Sequence, residues 1–127
     1  MGETPKLKTP LITYEECKES FFSCKSIMID TILIYRDRLM NVVLSKRISL
    51  KDYALASTIE IITTIASDYL ILTSNLSSIR LVLIRIDRAL NLLKHYVEDS
   101  ELKALFEEFQ QWCIKQRKAL EEKEDYP

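Results

Sequence analysis

Glycine and proline are all but missing from the body of this chain. Its one glycine is Gly2 and its three prolines are Pro5, Pro10 and Pro127, so no helix breaker stands between Leu11 and Tyr126. Without glycine there are also none of the tight β-hairpin turns or phosphate-cradling loops that depend on it. Histidine is nearly as scarce. His95 stands alone, which leaves a structural zinc site without ligands and makes any His-dependent nucleophile rely on a single ring. Cysteine is odd in number, and Cys17, Cys24 and Cys113 have no metal spacing. Free, buried thiols in a reducing, cytoplasmic setting are expected, with no metal and no cofactor. Neither sign of charge dominates, since 18 Lys and Arg face 19 Asp and Glu for a net charge of −1. That balance argues against a duplex nucleic-acid binder. No apolar stretch follows the first basic residues, and no run approaches the ~18 apolar residues of a membrane span. Any membrane contact is expected to be peripheral.

What the chain has instead is a sustained apolar period. Alternating steps of three and four from Leu55 give Leu55, Thr58, Ile62, Ile65, Tyr69, Leu72, Leu76, Ile79, Leu83, Ile86, Leu90, Leu93 and Val97, of which only Thr58 is polar. A 3.5-residue period held this long describes a helix packed lengthwise against partners with a left-handed drift. The spacing predicts one helix from about Leu50 to Val97. At 1.5 Å per residue its seam runs about 65 Å, roughly twice the span of a compact domain of this size. Its weakest stretch is Thr73-Ser74-Asn75 with Ser77-Ser78, where short polar side chains lower helix propensity and permit a bend.

The rest of the chain is organised around that helix. Residues 1–12 read as an irregular arm, residues 13–120 as a single helical domain, and residues 121–127 as an acidic tail. Thr13 and Glu16 have capping-box spacing and predict a first helix, whose apolar face is Cys17, Phe21, Cys24, Met28, Ile32, Tyr35, Leu39 and Val42, widened by Phe22, Ile29, Leu33, Met40 and Val43. Ser49 with Asp52 forms the next capping pair. Ser100 is read as the N-cap of a third helix with Leu102, Leu105, Phe106, Phe109, Trp112 and Cys113 along one face. The fold class is therefore all-α: a long antiparallel helical hairpin with a shorter third helix. Ile59, Ile61, Ile71, Leu81 and Val82 lie off the main seam and exceed what one short helix can cover. Such surface marks self-association or docking of another helical protein.

Little of the inventory suits catalysis. The carboxylate pairs Glu15-Glu16, Glu107-Glu108 and Glu121-Glu122 are adjacent in sequence, so each pair splits to different sides of a helix. A basic group, Arg36, Arg38, Lys46, Arg47 and Lys51, lies near the hairpin tip and suits anionic lipid head groups better than a duplex. Arg88 and His95 are separated by six residues, which resembles the R-x(4–6)-H pattern of HEPN ribonucleases, also helical bundles. That resemblance implies His95 as the proton-transfer group and Arg88 as the holder of the scissile phosphate, in a site completed by a second subunit.

A second resemblance uses more of the chain. Tyr35-Arg36-Asp37-Arg38-Leu39-Met40, then Asp52 with Ala56-Ser57, then Ile79-Arg80-Leu81-Val82-Leu83-Ile84-Arg85-Ile86-Asp87 resembles the core of ESCRT-III proteins, especially their archaeal cell-division branch, over roughly residues 30–95. It implies a cytoplasmic, non-enzymatic subunit that polymerises through its hairpin and remodels membranes, with Arg85 and Asp87 in the assembly contact.

Overall fold

The computed structural model describes residues 11–121, and these are all-helical with no strand among them. The helices are α1 (Tyr14–Glu19), α2 (Phe21–Ser45), α3 (Leu50–Leu72), α4 (Leu76–Lys94) and α5 (Ser100–Ala119). No described residue has positive φ, in keeping with a body that lacks glycine. Most of the arm at residues 1–12 and of the acidic tail at residues 121–127 lies outside the described residues.

Local chemistry sets the helix ends. Thr13 and Glu16 form the reciprocal capping box that starts α1. The Ser49 hydroxyl accepts from the amide of Asp52 at 3.1 Å to start α3. The amide of Leu102 donates to the carboxylate of Asp99 at 3.0 Å, so Asp99 is the N-cap of α5. Ser100, expected in that role, is the first helical residue; the longer, charged side chain of Asp99 takes the orphan amide.

Two expectations of helix continuity are corrected. The first predicted helix is interrupted at Ser20, with φ −139° and ψ 78°. There α1 bends back so that Cys17 and Cys24 form a disulfide with Cα atoms 5.0 Å apart, where an unbroken helix would hold residues seven apart at about 10 Å. These two cysteines are therefore not the free thiols expected, and the argument for a reducing compartment loses its basis; only Cys113 is free, and it is buried. The single helix from Leu50 to Val97 does not exist either. It ends at Leu72 and restarts at Leu76, because the Asn75 side chain accepts from the Ser78 amide at 2.9 Å and caps a new helix. The Lys25 ammonium donates to the carbonyls of Ile71 and Thr73, at 3.0 and 3.2 Å, and closes the end of α3. The 65 Å rod is thus folded in two.

The long helices make an up-and-down bundle in which α2 and α3 pack together, α4 and α5 pack together, and α2–α5 and α3–α4 close the ring. Lys25 places the start of α2 beside the end of α3. Asp52, at the start of α3, accepts from the amides of Glu98 and Asp99 beyond the end of α4. The other end of the ring is held by Gln116 of α5, whose amide side chain donates to the carbonyl of Ile12 at 2.7 Å and accepts from its amide at 3.0 Å.

The core follows the predicted faces of α2 and α5 closely. Cys24, Met28, Ile32, Tyr35, Leu39 and Val42 are buried, as are Leu102, Leu105, Phe106, Phe109, Trp112 and Cys113. Tyr35 stacks on Phe109 with ring centroids 4.6 Å apart. Phe22, expected to widen that face, is exposed.

Candidate functional site

The α4 half of the 3.5-residue seam is buried, with Ile79, Leu83, Ile86 and Leu90 all inside. The α3 half is not. What α3 turns inward is Asp52, Ala56, Ile59, Thr63, Ser67 and Leu70, a face of largely small or polar residues. The Thr63 hydroxyl donates back to the carbonyl of Ile59 at 2.7 Å, and the Ser67 hydroxyl has no partner. The same helix turns outward Ile61 at 57% exposure, Ile65 at 63%, Tyr69 at 46% and Leu72 at 84%. α3 is thus more apolar outside than inside, the reverse of a helix whose folding ends with its own chain. Of the residues expected to be uncovered, Ile61, Ile71 and Leu81 are, whereas Ile59 and Val82 are buried.

Beside this face, α3 and α4 diverge and leave an apolar groove of about 310 Å³ lined by Ile62, Ile65, Ala66, Tyr69, Leu81 and Ile86, with Arg85 also on its wall. A second, more polar depression on the α2 side of α3 is lined by Arg36, Asp37, Glu60 and Thr64. Ile65 lines both, so the outer edge of α3 is a ridge between two hollows.

The basic cluster is largely neutralised within the chain. Arg36 pairs with Asp37 at 3.0 Å and donates to the Thr64 hydroxyl. Arg38 pairs with Glu108 and lies over the Tyr35 ring. Lys46 bridges Asp99 and Glu101, both at 3.0 Å, and Lys51 pairs with Glu98 at 2.7 Å. Arg47 alone of the five has no acidic partner among the described residues. Hydrogen bonds from the Lys46 ammonium to Glu101 and Asp99 raise its pKa above 10.5. Burial alone would raise the Asp99 carboxyl, but the Leu102 amide and the Lys46 ammonium outweigh it and hold the group below 3.8.

The remaining candidates are scattered. Arg85 is exposed, whereas Asp87 points into the α4–α5 interface, accepting from Gln110 at 3.0 Å and pairing with Arg117 at 3.5 Å. Arg85 and Asp87 therefore do not share one contact surface. Arg88, on α4, and His95, the residue just past its C-terminus, are both exposed. Asn91 between them is bonded to Gln110 at 3.1 Å. Burial, with the charge of Asp87, pushes the Cys113 thiol well above its ordinary value of 9.0, against a smaller opposing effect of Arg117. Such a thiol is no nucleophile. No group of metal-ligating side chains forms among the described residues.

No family model, curated protein or solved structure matches the chain. The likenesses to ESCRT-III and HEPN proteins rest on the residues quoted for them.

Of the outer residues of α3, Ile61 and Ile71 were expected to be uncovered, whereas Thr58, Ile65, Tyr69 and Leu72 were not. Their signal was present, because Thr58, Ile65, Tyr69 and Leu72 belong to the 3.5-residue seam. A period reports that a stripe is apolar and not which side of the bundle it faces.

Proposed function

We propose that this protein is a non-enzymatic, self-associating helical subunit whose interface is the outer face of α3. The observation that carries the reading is the inverted polarity of that helix. Large apolar side chains at coiled-coil spacing point away from the chain's own core, while small and polar ones point in. A heptad stripe is matched by another helix lying along it, because knobs at that spacing need holes of the same period.

A bilayer is the competing occupant, since α3 is the one helix among the described residues long and apolar enough to cross a membrane, by length and composition, with a mean hydropathy of 1.4. A spanning role is disfavoured by its packing against α2 and by Glu60 and Asp68 within the segment, each acid costing about 2.5–3.5 kcal/mol near the bilayer centre. The membrane polymer that the ESCRT-III likeness implies would need the tip cations free, and four of the five are paired. The ribonuclease reading needs a second subunit to complete a site around Arg88 and His95. RNA cleavage abolished by both His95→Ala and Arg88→Ala would replace the present reading with that one.

Sedimentation velocity tests the proposal. The wild-type chain should associate at protein concentrations up to about 100 μM, a range that covers weak interfaces of modest area. Ile65→Asp should sediment as a monomer and, at a dilution where the wild type is also dissociated, melt at about the same temperature, since within one chain Ile65 is 63% exposed. A wild-type chain that remains monomeric, or an association indifferent to Ile65→Asp, refutes it.

A further inference from the structure

The outer stripe of α3 has the same spacing in both directions, and the residues it pairs on reversal are complementary in size and charge. Its fully outward positions are Ala54, Thr58, Ile61, Ile65, Asp68 and Leu72, all exposed, in steps of four, three, four, three and four. They are symmetric about Thr63: residues 61 and 65 lie two positions to either side, 58 and 68 five, and 54 and 72 nine. Placed antiparallel on a second copy with the two-fold axis crossing the outer face at the level of residue 63, between Ile61 and Ile65, the stripe becomes self-complementary. Ile61 meets Ile65, the large Leu72 meets the small Ala54, and the Thr58 hydroxyl meets the Asp68 carboxylate. That hydroxyl donates at present to the carbonyl of its own Ala54 at 2.8 Å, an exposed bond that a hydroxyl rotation exchanges for the acidic acceptor.

Resting on the self-association proposed above, we infer that α3 pairs with α3 of a second copy, antiparallel and centred on residue 63, in a closed two-fold dimer. Closure follows from the geometry. An isologous contact uses the same patch on both copies and leaves none free for a third, whereas a polymer needs two different patches. Area supports the pairing as well. At ~200 Å² for a fully exposed large side chain, the fractional exposures of Ile61, Ile65, Tyr69 and Leu72 leave roughly 500 Å² per copy. Two copies together then reach about 1,000 Å², the size of a weak but specific interface. The offset between copies is set where size and charge both match. Sliding by one heptad one way would put Asp68 against Ile65 and bury a carboxylate against an apolar side chain, and sliding the other way would carry Leu72 past the start of the partner α3 at Leu50 and leave it uncovered.

Cross-linking and charge substitution at these exposed positions test the register with the fold intact. Ala54→Cys and Leu72→Cys chains, mixed in a thiol–disulfide buffer, should yield a covalent heterodimer. Neither alone should cross-link above the wild type, because identical positions sit about 27 Å apart in this register, far beyond disulfide reach. Thr58→Lys, facing Asp68 twice across the two-fold, should tighten the dimer about three- to tenfold at low salt, and Thr58→Glu should weaken it by a similar factor. If the wild type associates but the mixture gives no heterodimer, or a ladder beyond two chains, or if Thr58→Lys and Thr58→Glu act alike, the register is wrong while the α3 interface stands. A strict monomer, or one whose α3 face instead takes up anionic vesicles, overturns both.

Discussion

Asp52 is the side chain whose removal should most clearly separate the tertiary fold from local helix chemistry. It is 1% exposed, and its carboxylate accepts from the Glu98 amide at 3.0 and 3.3 Å and from the Asp99 amide at 2.7 Å. These bonds staple the start of α3 to the turn between α4 and α5, joining the two halves of the bundle. A hydrogen bond to a charged group contributes about 1.5–3 kcal/mol, and stranding its partly buried donor costs about 1–3 kcal/mol. Asp52→Ala removes the acceptor of two amides and a carboxylate from the first turn of α3, which itself contributes about 0.3–1 kcal/mol. We expect a loss of about 3–5 kcal/mol, a large share of the 5–15 kcal/mol available to such a domain. At about 3–6 °C per kcal/mol for this chain length, the melting temperature should fall by roughly 10–30 °C. Ser49→Ala is the control. It removes only the local cap on the Asp52 amide and should cost about 1 kcal/mol. Thermal and urea unfolding followed by circular dichroism, at one fixed protein concentration because association adds to apparent stability, measures both. Should Asp52→Ala cost no more than Ser49→Ala, the staple is not what joins the two halves.

Two further tests address charge and core. The folded pKa of Asp99 lies below 3.8, so its contribution is present above that value and is lost as pH falls through the folded one. Asp99→Asn should therefore be less stable than the wild type near neutral pH, and the gap in melting temperature should close on acidification below about pH 4; a gap independent of pH would exclude the pairing as its source. On α4, Leu83 is fully buried and Arg85 exposed. Leu83→Asp should cost several kcal/mol and leave the chain largely unfolded by circular dichroism, while Arg85→Ala should stay within about 0.5 kcal/mol.

Much of the secondary structure was legible residue by residue. The inward faces of α2 and α5, the Thr13–Glu16 box and the Ser49 cap are local or periodic signals, and packing respected them. The two misreadings of helix continuity share one cause. From Leu72 to Leu76 the seam advances by four, a normal heptad step, so the apolar phase runs unbroken through a point where the chain reverses direction. The cap from Asn75 to Ser78 was written there, but continuity of period outweighed it. Ser20 hid a bend in the same way, and only that bend brings Cys17 within bonding distance of Cys24.

Composition and period, then, determined by themselves that the protein is all-helical, that α2, α4 and α5 carry apolar faces, and that some apolar surface exceeds what the chain can cover. Those properties follow from propensity and from 3.5- or 3.6-residue spacing, which act within about two turns of helix. Tertiary structure alone decided that the long seam folds into two antiparallel helices, that the α4 half goes inside and the α3 half outside, and that Asp52, four of the five tip cations and Asp87 are held by intrachain partners. Burial of one stripe over another is settled by competition among helices distant in sequence. α2 meets the small side chains Ala56, Thr63 and Ser67 of α3, where close approach is possible, and leaves Ile61, Ile65 and Leu72 to face outward.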